Sequence, residues 1–303
     1  MHQLLSPFKG TGVALVTPFT TTGEVDYPAL GRIIDHVIDG GVDYLVSLGT
    51  TGESVTLTVD ECRRVLEFTL ERTENKHQVV VGHFGGNNTA ALVQRIKSFD
   101  LTGLAGIMSS SPAYSKPTQE GIYQHYLALA EASSLPIIIY NVPGRTSSNV
   151  LPETILRLAE TSSQFAAVKE ASGSLEQVSE LIRHRPDNFL VLSGDDPTAL
   201  PSIAVGAEGS ISVIANAYPW QWSRMIRAAL DHDFMLAQEL NYQLWDLHHS
   251  LYVEGNPAGI KTALAELGLC LPDLRLPLVS MSEGGKKELL HKMQQVPEVR
   301  QLR

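Results

Sequence analysis

The chain has 303 residues, 43% of them hydrophobic and 18% charged, enough apolar material to bury a sizeable core. Its formal net charge of -10, with no block of lysine and arginine, speaks against a nucleic-acid partner, whose phosphates reward basic clusters. No run of about 18 apolar residues is present to span a bilayer. The first residues lack the order of a secretory signal, and Cys62 and Cys270 are too few for a disulfide framework and lack metal-ligand spacing, so a cytoplasmic protein is expected.

Short apolar runs alternate with longer amphipathic segments along most of the chain. The runs are GVALVTPF from Gly12, YLVSLG from Tyr44, QVVVGHF from Gln78 and GIMSSS from Gly106. They continue with PIIIYNV from Pro136, FAAVKEAS from Phe165, FLVLSGD from Phe189 and GSISVIAN from Gly209. Rich in Val, Ile and Leu without sustained polar alternation, they read as parallel strands covered on both faces. Segments such as YPALGRIIDHVIDGG and TQEGIYQHYLALAEAS carry apolar residues at three- and four-residue spacing, as amphipathic helices do. Thr58 with Glu61 three residues on has the form of a capping box.

Eight such runs predict an α/β protein, a (β/α)8 TIM barrel, over an open doubly wound sheet. The first turn, TPFTTTGEVD, also lacks a dinucleotide-binding glycine fingerprint. From about Ala217 the pattern is helical almost throughout, more than one barrel-closing helix requires. The expected organisation is a catalytic barrel over residues 1–230 and a C-terminal helical extension packed on it over 231–303.

In a barrel of this kind the loops after the strands build the active face. Several runs end there in groups that react or hydrogen-bond: SLGTTGES, YNVPGRT, VKEASG and LSGDD. Lys169 follows Phe165, Ala166, Ala167 and Val168 near the end of an interior strand. Desolvation there favours the neutral amine, a nucleophile that forms a Schiff base with a ketone. Taken alone, the same position also suits a lysine that buries its stem and extends its amine to water. Tyr140 offers a phenol for proton transfer or simply a satisfied core tyrosine. Thr50 and Thr51, in a Gly-Thr-Thr-Gly turn, offer hydroxyls and N–H groups to a small carboxylate. Arg145 presents a fork suited to a carboxylate, or is a solvated surface residue. His248 and His249 are adjacent and cannot chelate as an i, i+4 pair would. Asp195 and Asp196 suggest no third ligand, so no metal is expected and the pair reads as a turn anchor. The last two strand ends carry no Lys or Arg, which argues against a phosphorylated substrate.

Together these motifs resemble the dihydrodipicolinate synthases, within the N-acetylneuraminate lyase superfamily of class I pyruvate aldolases. VALVTPF, GTTGES, YNVPGRT, VKEASG, LSGDD, GSISV and the NP-x-x-x-K segment at Asn256 to Lys261 occur in the family's order over nearly the whole chain. The resemblance implies that Lys169 forms an imine with pyruvate. It implies a proton relay of Tyr140, Thr50 and Tyr114, the last donated across a tight dimer interface. Thr51 would hold the pyruvate carboxylate, Gly194 would line the pocket, and the Ile211 main-chain carbonyl would lie near the imine. Arg145 would bind the carboxylate of L-aspartate-4-semialdehyde. No cofactor is implied, since the imine is the electron sink, and the expected assembly is a homotetramer of two tight dimers. Sialic-acid lyases read Ser-Thr-Gly-Glu at the second strand and lack the arginine, so the synthase reading is preferred to a sugar-acid aldolase. A catalytically silent binding protein would have no reason to carry the full relay.

Two departures from the family pattern stand out. At a lysine-binding site on the dimer interface, feedback-inhibited members have polar, histidine or aromatic residues. This chain has Val59, Cys62, Ala91 and Ala113 there, with Ser54 and Asn87 retained, which predicts weak or absent inhibition by lysine. NPAGIK also carries Ala258-Gly259 where a bulkier pair is common.

Overall fold

The computed structural model describes residues 7–74 and 77–297. Eight parallel strands close into a barrel in sequence order, β1 hydrogen-bonding both β2 and β8. They are β1 Gly10–Ala14, β2 Tyr44–Ser47, β3 Gln78–Val81, β4 Gly106–Ser110, β5 Ile137–Asn141, β6 Phe165–Glu170, β7 Leu190–Ser193 and β8 Gly209–Ser212. All eight apolar runs contain a strand. The first differs most: β1 starts two residues before Gly12 and stops at Ala14, so the LVTPF half of its run is loop. The Val16 N–H leaves the ladder there for the Asn216 side-chain oxygen at 3.2 Å.

Side-chain alternation along the strands divides the core in two. Tyr44, Val46, Val80, Met108, Ile138, Tyr140, Ala167, Leu192 and Ile211 point into the barrel. Their neighbours Leu45, Val79, Val81, Ile107, Ile137, Ile139, Val168 and Val191 pack under the outer helices. This is why the runs are apolar on both faces and show no period of two in hydropathy. Phe8 plugs the N-terminal end of the barrel edge-on to Tyr44, ring centroids 6.0 Å apart. Gly12 leaves room for that tyrosine, since a Cβ there would lie 2.4 Å from its ring. By the same alternation Lys169, two residues after Ala167, faces inward at the C-terminal end of β6.

The outer helices start where the sequence signals them. The capping box at Thr58 is formed, with the Glu61 N–H donating to the Thr58 hydroxyl and the Thr58 N–H to Glu61. Helix Pro219–Leu230 closes the barrel over β1 and β8. Helices Phe234–Ser250, Ala258–Glu266 and Glu283–Met293 follow, the first packed along the closing helix. Gly259 has a physical reason: a Cβ there would lie 2.2 Å from the Leu251 carbonyl oxygen, so only glycine lets this helix approach so closely. Among the described residues no helix is long and apolar enough to cross a membrane.

Buried titratable groups set the acid limit of this fold. Burial holds the imidazoles of His83, His125 and His248 down to about 4. Hydrogen bonding to Arg275 holds the Glu61 carboxyl down to about 2. Between pH 6.5 and 4 the unfolded chain takes up protons that the folded histidines refuse, so stability falls with pH. Glu61 extends the loss, since its contribution is complete above its ordinary value of 4.5 and disappears towards 2. Each buried histidine contributes up to about 3 kcal/mol over its window, and the more exposed Glu61 less. Urea unfolding at pH 7, 5.5 and 4 is expected to show a steep decline, and His248→Phe to flatten it. A pH-independent unfolding free energy would contradict this account.

Candidate active site

The C-terminal mouth of the barrel holds a recess lined by Thr50, Thr51, Tyr140, Arg145, Lys169 and Gly194. These come from four different strand ends, which only the closed barrel brings together. Lys169 is 5% exposed, and its amine lies 4.4 Å from the centre of the Tyr140 ring. The two residues are partners across the β5–β6 ladder, as are Asn141 and Glu170 next to them.

That second pair explains why both motifs carry further polar residues. Asn141 and Glu170 alternate to the outside of the barrel, where the Asn141 amide donates to the Glu170 carboxylate at 2.8 Å. Gln177 and the Ser172 N–H donate to the same carboxylate, each at 2.7 Å. Three N–H donors satisfy a carboxylate that is 2% exposed and fasten the ends of β5 and β6 directly behind Tyr140 and Lys169.

The opposite wall is the turn after β2. The Gly52 N–H donates to the Gly49 carbonyl and the Glu53 N–H to the Thr50 carbonyl, each at 3.1 Å, which fixes the two threonines on a tight turn. The Asn256 amide donates to the Thr51 hydroxyl at 3.0 Å. The hydroxyl proton is thereby left to donate into the recess. Asn256 and Tyr252 come from beyond the barrel, so the C-terminal segment supplies part of the wall. Neither was singled out as a site residue from the sequence; Asn256 was visible only as the start of the NP-x-x-x-K segment, and Tyr252 carries no local signal. Desolvation, with Asp196 and Tyr140 nearby, raises the Tyr252 phenol well above its ordinary value. Ala14, Met108, Val142, Ala171 and Val213 complete the wall as apolar surface.

Asp195 and Asp196 anchor turns. Asp195 caps a short turn by accepting the Thr198 N–H at 3.2 Å, and the buried Asp196 accepts the Ile214 N–H at 2.8 Å. Burial raises the Asp196 carboxyl to about 6. Arg145 lies on the short helix Pro143–Thr146, at the rim, with a guanidinium N–H 3.5 Å from the Asn256 carbonyl oxygen. Ile211 is inside the barrel, in the same packed group as Tyr140, and does not line the recess. Tyr114 is also absent from it: its side chain is 91% exposed on the outside of the chain.

Residues 7–296 match the model of the dihydrodipicolinate synthetase family. The chain belongs to that family. A 4-hydroxy-tetrahydrodipicolinate synthase of Flavobacterium psychrophilum is 48% identical over 279 residues, covering 92% of this chain and 95% of the relative. Among solved members of the dihydrodipicolinate synthetase family, the Aquifex aeolicus synthase superposes with a TM-score of 0.91 at 41% identity, covering 97% of this chain and 100% of that one. The chloride-inhibited synthase of Acinetobacter baumannii, solved in complex with pyruvate, gives a TM-score of 0.92 at 36% identity, covering 95% and 98%. Of the site residues that the resemblance named, Thr50, Thr51, Tyr140, Arg145, Lys169 and Gly194 line the recess, and Tyr114 and Ile211 do not.

Proposed function

We propose that the protein is a 4-hydroxy-tetrahydrodipicolinate synthase that joins pyruvate to L-aspartate-4-semialdehyde through an imine on Lys169. The observation that carries this reading is the adjacency of Lys169 and Tyr140 in a recess whose other polar lining residues are Thr50, Thr51, Arg145, Asp195, Tyr252 and Asn256. The Lys169 amine attacks the pyruvate carbonyl, and water leaves as the imine forms. Loss of a methyl proton gives the enamine, whose carbon adds to the aldehyde. The amino group of the semialdehyde then displaces Lys169, closing the ring and restoring the free amine. The sum is one pyruvate and one semialdehyde converted to the hydroxylated tetrahydrodipicolinate and one water.

Each wall has a part in this sequence. The Thr51 hydroxyl and the N–H groups of its turn hold the pyruvate carboxylate, and Gly194 lets the lysine stem pass. Tyr140 and Thr50 exchange protons with the carbinolamine and enamine. Arg145 at the rim binds the carboxylate of the incoming aldehyde, a pairing suited to a planar fork. The part given to the Ile211 main-chain carbonyl, near the imine, rests on the resemblance alone, since Ile211 does not line the recess.

Tyr114 completes the relay from a neighbouring subunit in a cytoplasmic homotetramer built of two tight dimers. Its exposure, and its absence from the recess of its own chain, support that donation. A folded monomeric variant is expected to lose most activity, and full activity in such a monomer would refute the shared relay.

The defining experiment is borohydride trapping with pyruvate, with peptide mapping of the adduct. An adduct on Lys169 that the semialdehyde discharges into product is the expected result. Discharge only by sugar aldehydes would move the protein to the sugar-acid aldolases. Lysine is expected to inhibit weakly or not at all: Val59 and Ala91 are exposed apolar residues, Cys62 is buried, and the Asn87 side-chain oxygen already accepts the Ala113 N–H at 2.7 Å. Half-inhibition well below millimolar lysine would overturn this.

A further inference from the structure

Two charged motif residues have no part in the chemistry above. Glu53 closes the Gly-Thr-Thr-Gly-Glu turn, and Lys261 ends the NP-x-x-x-K segment. Their side chains are both 0% exposed and meet as an ion pair at 2.5 Å. The Lys261 amine also donates to the Asp273 carbonyl at 2.9 Å and lies 4.1 Å from the centre of the Phe19 ring. The second Glu53 oxygen accepts the Arg275 N–H at 3.2 Å. The Glu53–Lys261 and Glu53–Arg275 contacts join the turn after β2 to chain beyond the barrel, and the Lys261–Phe19 contact joins that chain to the loop after β1.

The turn itself is strained. Leu48 and Glu53, at its two ends, have φ of 60° and 51°, a left-handed conformation that costs a residue with a Cβ. Of the turn's two backbone hydrogen bonds, the one that ties its C-terminal end to Thr50 comes from Glu53. Gly52 is held separately by its own N–H bond and by the Thr17 hydroxyl donating to its carbonyl at 2.7 Å, so relaxation of Glu53 loosens the Thr50–Thr51 half of the turn. Buried ion pairs add little net stability over apolar residues of similar size. A fully enclosed pair attached to a strained, ligand-facing turn is better accounted for by geometry than by stability.

We propose that Glu53 and Lys261 are positioning residues, a buried clamp by which the C-terminal segment holds the Thr50–Thr51 turn in the shape that receives the carboxylate of the 2-oxo acid. The assignment of the ligand rests on the pyruvate reading of the recess; the clamping of the turn does not. Asn256, which orients the Thr51 hydroxyl, lies five positions before Lys261 on the same segment. The extension thus acts on Thr51 twice, once through its side chain and once through its backbone.

The test is Glu53→Gln, which keeps the shape and the acceptor for the Arg275 N–H but removes the charge. Amide hydrogen exchange at Glu53 is expected to accelerate about tenfold or more, while amides of β4 and β7 stay protected. The KM for pyruvate is expected to rise about tenfold, with kcat within about threefold. Thr51→Val should then add little to the KM of Glu53→Gln, because its partner turn is already displaced. Unchanged exchange and KM would overturn the proposal. Acceleration spread evenly over the barrel would also overturn it, because the pair would then serve overall stability alone. Should Glu53→Gln fail to fold, the variant Glu53→Gln/Lys261→Met, which buries no unpaired charge, carries the same exchange measurement. If the wild-type protein traps no pyruvate, the pyruvate reading fails, and the exchange data alone decide whether the clamp exists.

Discussion

Replacing Lys169 by alanine is expected to abolish the borohydride-trapped pyruvate adduct and to lower kcat/KM by on the order of 10^4-fold or more. The size follows from what is removed. Without the amine there is no imine, and without the imine no electron sink exists for the carbanion equivalent of the pyruvate methyl group. The remaining walls can still bind and orient both acids, but binding of unactivated reactants recovers only part of the rate. Lys169→Arg separates nucleophilicity from charge: it keeps a cation at the end of β6 but has no neutral amine near neutral pH. The arginine variant should be as inactive as the alanine one. Activity in either above one-hundredth of the wild-type value would mean that the lysine is electrostatic and that the reaction runs without a covalent intermediate. Mapping the adduct separates these cases directly, because a non-covalent mechanism leaves no mass shift at any lysine.

The prominence of Lys169 in the sequence has a structural cause. A barrel interior admits apolar side chains at alternate strand positions, so a lysine at the inward phase of β6 stands out against Phe165, Ala167 and Val168. The eight strands were legible for the same reason: two-sided burial leaves each as a compact apolar run. Three features of the site were not legible from local pattern. Asn256 and Tyr252 enter the recess from chain that follows the barrel, 83 residues or more (252 − 169) after Lys169 and Tyr140, and no local periodicity reports such a return. The roles of Glu53 and Lys261 depend on contact across 208 positions of sequence (261 − 53), invisible until the chain is folded. Tyr114 is a third kind of case: its side chain is 91% exposed and lies outside the recess of its own chain, so the relay role proposed for it requires a second copy of the chain. What a strand pattern encodes is the frame; what crosses between distant segments has to be seen in the fold.

Gly194→Ala is expected to reduce kcat about a hundredfold while leaving the protein folded. Gly194 directly follows β7, and its N–H donates to the Glu170 carbonyl at 2.7 Å. Its φ is not in the left-handed region, so alanine can adopt the backbone and the effect is steric. The new methyl group would sit 2.8 Å from Lys169 Cγ, 2.9 Å from Lys169 Cε and 2.8 Å from the Ala171 methyl. Atoms at such distances must move apart, and the lysine stem is the most flexible of them. Displacing the amine by about 1 Å from the carbonyl it attacks is enough to cost about a hundredfold in rate, and the overpacking costs about 1–3 kcal/mol of stability. Gly144 provides the contrast within the YNVPGRT motif. A Cβ there meets nothing within 4 Å, so Gly144→Ala should leave kcat and the melting temperature near their wild-type values. A slow Gly194→Ala enzyme that still forms the pyruvate adduct, but more slowly, would place the defect at the lysine stem. An adduct formed at the wild-type rate would move the defect to the later steps, and an unimpaired enzyme would show that the stem can swing aside without leaving its reactive position.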